Sequence, residues 1–266
     1  MEGVAPEHAY IPCMVRPPVT LEICVDSLQG ALAAEQGGAD RVELCDNLAE
    51  GGTTPSGGMI AEVVGRLSIP VFVMIRPRGG DFALSSDEMA IMLRDIALAQ
   101  ACGARGIVTG VLETDGRVHA VRMRELVRAA APLPVTFHRA FDMVEDAGDA
   151  MAALARVGVR RILTSGQAPS ATEGIPLLAQ LVREAPAGIS IVAAGGITEE
   201  NAEHIVAVTG VRELHARGTV PVASRMSFRR PGISFVKPVL ENDVRAVTDV
   251  ARVRRLRAVL GSDNPD

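Results

Sequence analysis

Short runs of aliphatic and β-branched residues recur along the chain, at 21–25, 41–45, 71–75, 106–109, 135–138, 161–164, 190–194 and 212–216. Each is followed by a stretch rich in Ala, Leu, Arg and Glu. Apolar residues return there at three- and four-residue steps, the period of an amphipathic helix. The pattern predicts helices at 27–36, 87–101 and 120–130, among others. Gly37-Gly38, Gly103-Ala104, Gly158-Val159 and Gly210-Val211 stand where helices should end, as glycine caps do just ahead of a new strand. Strands alternating with helices pair in parallel through right-handed crossovers. Eight such units in 266 residues predict an α/β chain folded as a (β/α)8 TIM-like barrel, a single domain over 19–262. The competitor is a doubly wound open sheet, which would carry a glycine-rich phosphate loop after the first strand. Val25-Asp26-Ser27-Leu28 offers none.

Outside the barrel pattern, residues 1–18 carry Glu2, Glu7 and prolines and lack a continuous apolar run. They read as a disordered or loosely packed N-terminal tail, not a secretory signal. Residues 217–238 hold Pro221, Pro231 and Pro238. That stretch is expected to pack irregularly across one rim before a last helix at 241–260.

Composition narrows the function classes. Aromatic residues make up 3% of the chain and Trp is absent, which excludes stacking platforms for single-stranded nucleic acid. Formal net charge is -5 and Lys237 is the one lysine, so no global basic field recruits nucleic acid or an anionic membrane. The clusters Arg229-Arg230 and Arg252-Val253-Arg254-Arg255 are short and read as solvated faces. No apolar run approaches the roughly 18 residues needed to span a bilayer. Four cysteines (13, 24, 45 and 102) with no CxxC pair argue for a reducing compartment and against both a disulfide framework and a closed zinc site. A cytoplasmic protein is expected.

Candidate chemistry follows from strand parity, because side chains two apart share a face and barrel sites lie at the C-terminal strand ends. The first two strands repeat a Glu-x-Cys pair, Glu22 with Cys24 and Glu43 with Cys45. Thr136 and His138 share one face of the fifth strand, Glu213 and His215 one face of the eighth. Isolated carboxylates are costly to bury, and Arg76, Arg78, Arg139 and the two histidines are the expected partners. Arg76-Pro77-Arg78-Gly79-Gly80-Asp81-Phe82 reads as a cationic rim able to close on a carboxylate or phosphate, or as a turn with Arg78 paired to Asp81. Ser85 and Glu88 form a capping box for the next helix. Small residues end the late strands, Ser165-Gly166 and Gly195-Gly196, where barrels often hold phosphate.

Several stretches resemble the CutC copper homeostasis family: LEICVDS (21–27), GGADRVELCDNLAEGGTTPS (37–56), VMIRPRGGDF (73–82), PVTFHRAFD (134–142), ILTSGQ (162–167) and AVTDVARVRRL (246–256). The resemblance implies a TIM-like barrel, a cytoplasmic location, a homo-oligomer (taken as a homodimer) and a role with cuprous copper. The chain departs from the family pattern at Ala83 and Leu84, where a Cys and a Tyr often follow GDF, and at Arg217, where small residues usually follow the last strand's His.

Two functions stay open. In one, Cys24 and Cys45 hold Cu(I), a soft ion that accepts low-coordinate thiolate ligation. In the other, the barrel is a lyase- or isomerase-like enzyme acting on a small phosphorylated or carboxylated metabolite. Glu22, Glu43 and His138 would then supply acid–base chemistry. Arg76, Arg78, Arg139, Ser165, Gly166, Gly195, Gly196 and His215 would bind the anion. A pure scaffold would leave the buried charges without a purpose.

Overall fold

The computed structural model describes residues 18–228, 230 and 244–261. Apart from Pro18, the tail expected over 1–18 lies outside them. Eight parallel strands close into a barrel in chain order: β1 (Thr20–Val25), β2 (Arg41–Leu44), β3 (Val71–Met74), β4 (Gly106–Thr109), β5 (Val135–Phe137), β6 (Arg161–Thr164), β7 (Ser190–Ala194) and β8 (Glu213–Ala216). Closure runs through β1 and β8, with Glu22 opposite His215. That pairing rules out the open sheet.

Helices α1 (Leu28–Gln36), α2 (Gly57–Arg66), α3 (Ser86–Ala101), α4 (Ala120–Ala130), α5 (Ala147–Val157), α6 (Ile175–Glu184) and α7 (Ala202–Thr209) lie between successive strands. Local chemistry fixes several of their starts. The Ser27 hydroxyl accepts from the Gly30 N–H at 3.2 Å, and Ser85 with Glu88 completes the expected capping box on α3. His119 caps α4, its Nδ1 accepting from the Arg122 N–H at 3.5 Å.

Parity sorts the strand residues as anticipated. Leu21, Ile23, Val25, Val42, Leu44 and Phe137 join the apolar layer between strands and helices. Cys24, Cys45, Phe72, Met74 and Val108 form a separate cluster inside the barrel. Burying the outward set removes the largest apolar area from water, so it holds register against the one-residue slip that would turn every inward group outward.

One expectation needs correction. The helix anticipated over 241–260 begins only at α8 (Val250–Val259). Before it, β10 (Val244–Thr248) pairs antiparallel with β9 (Thr219–Ala223), so the described part of the irregular stretch contains a strand. Asp249 separates the two elements by capping α8, its carboxylate accepting from the Arg252 N–H at 2.9 Å. Residues 241–243 lie outside the described set.

Candidate functional site

An ionic layer floors the barrel. Glu22 on β1 accepts from Arg41 at the start of β2, and Arg41 also bonds Glu213 on β8. Arg161 at the start of β6 stands 3.9 Å from both carboxylates, donates to Thr136 at 2.6 Å, and lies 4.0 Å from the Phe72 ring centroid. These two arginines, not Arg76, Arg78 or Arg139, are the cations that neutralise the strand carboxylates. Burial alone would raise the Glu22 carboxyl, but Arg41 and His215 hold it far below the usual range.

His215 links this layer to the groups above it. Its Nδ1 lies 2.7 Å from Glu22 Oε1 and its Nε2 lies 3.6 Å from Glu43 Oε2. Burial opposes the charged ring, yet Glu43, Cys24 and Glu22 together raise it well above an ordinary histidine. Next to it, Cys24 Sγ and Cys45 Sγ stand 3.8 Å apart, and Glu43 Oε2 lies 3.4 Å from Cys45 Sγ. The two thiols behave oppositely. Contact with Cys45 pulls Cys24 well below the normal thiol range against the effect of burial, with His215 assisting. The same contact, then burial, pushes Cys45 well above it. Burial, resisted by the His215 cation but reinforced by Cys24 and Glu22, pushes Glu43 up to about 8. Of the pair, Cys24 is therefore the more acidic thiol and Cys45 the less acidic.

Above the sulfurs, the C-terminal strand ends open on a cavity of about 490 Å³, lined by Cys24, Glu43, His138, His215, Arg76, Arg139, Gly195 and Gly196, among others. Cys45 sits behind Cys24, and Gly52 keeps it uncrowded. Gly52 has φ +93°, and a Cβ there would stand 3.2 Å from Cys45 Sγ. His138 is likewise admitted by a glycine, since a Cβ on Gly110 would stand 2.6 Å from its Cε1.

The structure brings most, but not all, of the anticipated residues to this cavity. Arg78 turns away, binding Glu88 at 2.5 Å and Asp81 at 3.1 Å. Ser165 is buried behind the wall. There its backbone N–H and hydroxyl donate to Asp142, and it accepts from Arg139 at 2.9 Å. Gly166 is not part of the lining either, and Glu22 lies in the layer beneath. Arg41 and Arg161 were missed because charged residues at strand starts resemble surface caps. Parity was the available signal: Arg41 shares a face with Glu43 and Cys45, and Arg161 with Leu163.

The CutC family model matches residues 19–220, from the first barrel strand into β9. The chain belongs to the CutC family. It is 45% identical over 240 residues to the copper homeostasis protein cutC homologs of Mus musculus and Homo sapiens, covering 90% of this chain and 88% of each relative. A crystal structure of the candidate copper homeostasis protein CutC from Streptococcus agalactiae superposes with TM-score 0.71 at 36% identity, covering 74% of this chain and 98% of that one. The thiamine phosphate pyrophosphorylase of Pyrococcus furiosus, at TM-score 0.57 and 15% identity, shares the fold alone, over 91% of this chain and 95% of its own. No helix among the described residues is long and apolar enough to cross a membrane.

Proposed function

We propose that the chain serves copper homeostasis by holding Cu(I) between Cys24 and Cys45 at the floor of the barrel mouth. One observation carries this reading: two buried sulfurs on neighbouring strands, 3.8 Å apart beneath an open cavity. Metal–thiolate bonds run to about 2.3 Å for zinc, so two sulfurs on one ion of similar size stand at most roughly 4.6 Å apart. The observed gap suits a bent two-sulfur arrangement with little movement. Two thiols suit a soft monovalent ion, whereas the neighbouring Glu43 carboxyl is a hard donor that adds little for it.

Charge supports the same choice. Exchanging one thiol proton for one Cu(I) leaves the net charge of the buried cluster unchanged. A divalent ion in the same exchange would add an uncompensated charge where charge is costly. Cys24 lines the cavity and supplies the entry point, and Cys45 closes the site from behind. A cytoplasmic location would keep both thiols reduced.

The test is an anaerobic Cu(I) titration against a competing chelator. Wild type should outcompete the chelator. Cys24→Ser and Cys45→Ser should each weaken binding by more than the roughly 10–100-fold that disturbing a ligand's hydrogen-bond partner costs. Unchanged affinity in the double variant would overturn the proposal.

A further inference from the structure

A second group of polar side chains faces the same cavity, with chemistry unrelated to thiol ligation. His138 is 4% exposed. Its Nδ1 accepts from the Ala140 N–H at 3.2 Å, so the proton of the neutral ring sits on Nε2. Burial, with the Arg76 charge adding to it, lowers this histidine to about 3, so the ring is neutral across the physiological range. The Nε2–H has no hydrogen-bond partner among the described residues.

Arg76 is 5% exposed and bonds only backbone carbonyls, those of Glu50, Gly52 and Gly80, at 2.8–2.9 Å. Among the described residues no carboxylate pairs with it, and its Nε–H is also unpartnered. Arg139, by contrast, is neutralised by Asp142 at 2.7 Å. Glu50 and Asp81 act on Arg76 only beyond ion-pair contact, and a buried cation without a contacting carboxylate beside an unsatisfied donor is expensive unless an anion completes the set.

Phe82 connects the two groups. Its ring centroid is 5.0 Å from that of His138, and the Arg76 guanidinium carbon lies 4.9 Å from the same ring. All three residues line the cavity, whose volume of about 490 Å³ falls in the range used for small-molecule ligands.

We propose that the barrel mouth binds a small organic oxyanion, a carboxylate or phosphate ester, with one oxygen on His138 Nε2–H and its charge set against Arg76. Neither donor atom touches solvent in the structure, so ligand entry requires side chains of the cavity wall to shift. A neutral imidazole donating from Nε2 polarises a carbonyl or phosphoryl oxygen without giving up its proton. This site goes beyond the copper reading and does not depend on it, because neither donor is a sulfur ligand.

The experiment uses the metal-free full chain carrying Cys24→Ser and Cys45→Ser, labelled with ¹⁵N-histidine and titrated separately with pyruvate and inorganic phosphate, with chloride matching ionic strength. The His138 Nε2 resonance should shift saturably with at least one probe, and the responding probe identifies carboxylate or phosphate as the preferred group. In the same background His138→Asn keeps an acceptor for the Ala140 N–H and removes Nε2–H. It should lower affinity, read by thermal shift, roughly ten-fold or more, as expected for one lost bond to a charged group. No shift with either probe at up to about 20 mM, well beyond millimolar Kd, would overturn the proposal. Equal stabilisation of the parent and His138→Asn would overturn it too. If His138→Asn fails to fold, the resonance shift decides alone.

Discussion

Replacing Glu22 with Gln tests whether the ionic floor holds the barrel together. Glu22 is 2% exposed, bonds Arg41 through one oxygen, sits 2.7 Å from His215 through the other, and has Arg161 3.9 Å away. Gln keeps the shape and removes the charge, leaving Arg41 and Arg161 with Glu213 as their shared counter-ion. Breaking a buried ion pair from one side costs about 3–5 kcal/mol. At roughly 2–4 °C per kcal/mol for a chain near this size, Tm should fall by about 6–20 °C. Urea and thermal unfolding at pH 7 measure it.

The pH dependence adds a second reading. The folded carboxyl lies far below its ordinary value of 4.5, so its contribution is fully present above that value and is lost only as pH falls through the folded pKa. The part of the Glu22→Gln deficit that comes from the titration of Glu22 itself should therefore be full above about pH 5 and shrink in stronger acid. Arg41→Met should be costly alone, and the double variant should cost less than the two singles together by about 0.5–3 kcal/mol. A deficit under about 1 kcal/mol, or strict additivity, would refute the reasoning.

Further outcomes follow from the same geometry. A small alkylating reagent should label Cys24 before Cys45 in peptide mapping, because Cys24 faces the cavity as the more acidic thiol; Cys45 reacting first would contradict the assignment. His138, depressed to about 3, costs native stability as pH falls below its unfolded value of 6.5. Between pH 6.5 and 5 wild type should lose about 2 kcal/mol relative to His138→Asn, measured by urea unfolding, and parallel curves would exclude a neutral buried ring. Gly110→Ala forces a methyl toward the His138 ring and should destabilise by about 1–3 kcal/mol in the same assay. An unchanged midpoint would show that the ring moves freely.

The barrel was legible because each unit repeats one local code. Aliphatic runs such as Val71–Met74 and capped amphipathic helices such as α3 leave few other ways to pair. The end of the chain was not legible in this way. Val244–Thr248 is a strand through its pairing with Thr219–Ala223, a contact more than 20 residues distant that no local window contains. Within the site, parity located Glu22, Cys24, Glu43, Cys45, His138 and His215 because barrel strands alternate strictly. Which cation serves which carboxylate was illegible. Arg41 reaches Glu213 across the β1–β8 closure, so that partnership exists only after the barrel closes. Arg78 follows the turn reading and not the rim reading: its partners Asp81 and Glu88 lie in the same loop and the helix after it, and they turn it away from the mouth.

The central claim is most directly tested by diffraction from crystals loaded anaerobically with Cu(I), collected at the copper absorption edge. The account predicts one anomalous peak bridging the sulfurs of Cys24 and Cys45, with His215 and Glu43 still in place around it. A peak bound elsewhere, such as at Cys102, or no peak between the two sulfurs at full loading, would contradict it.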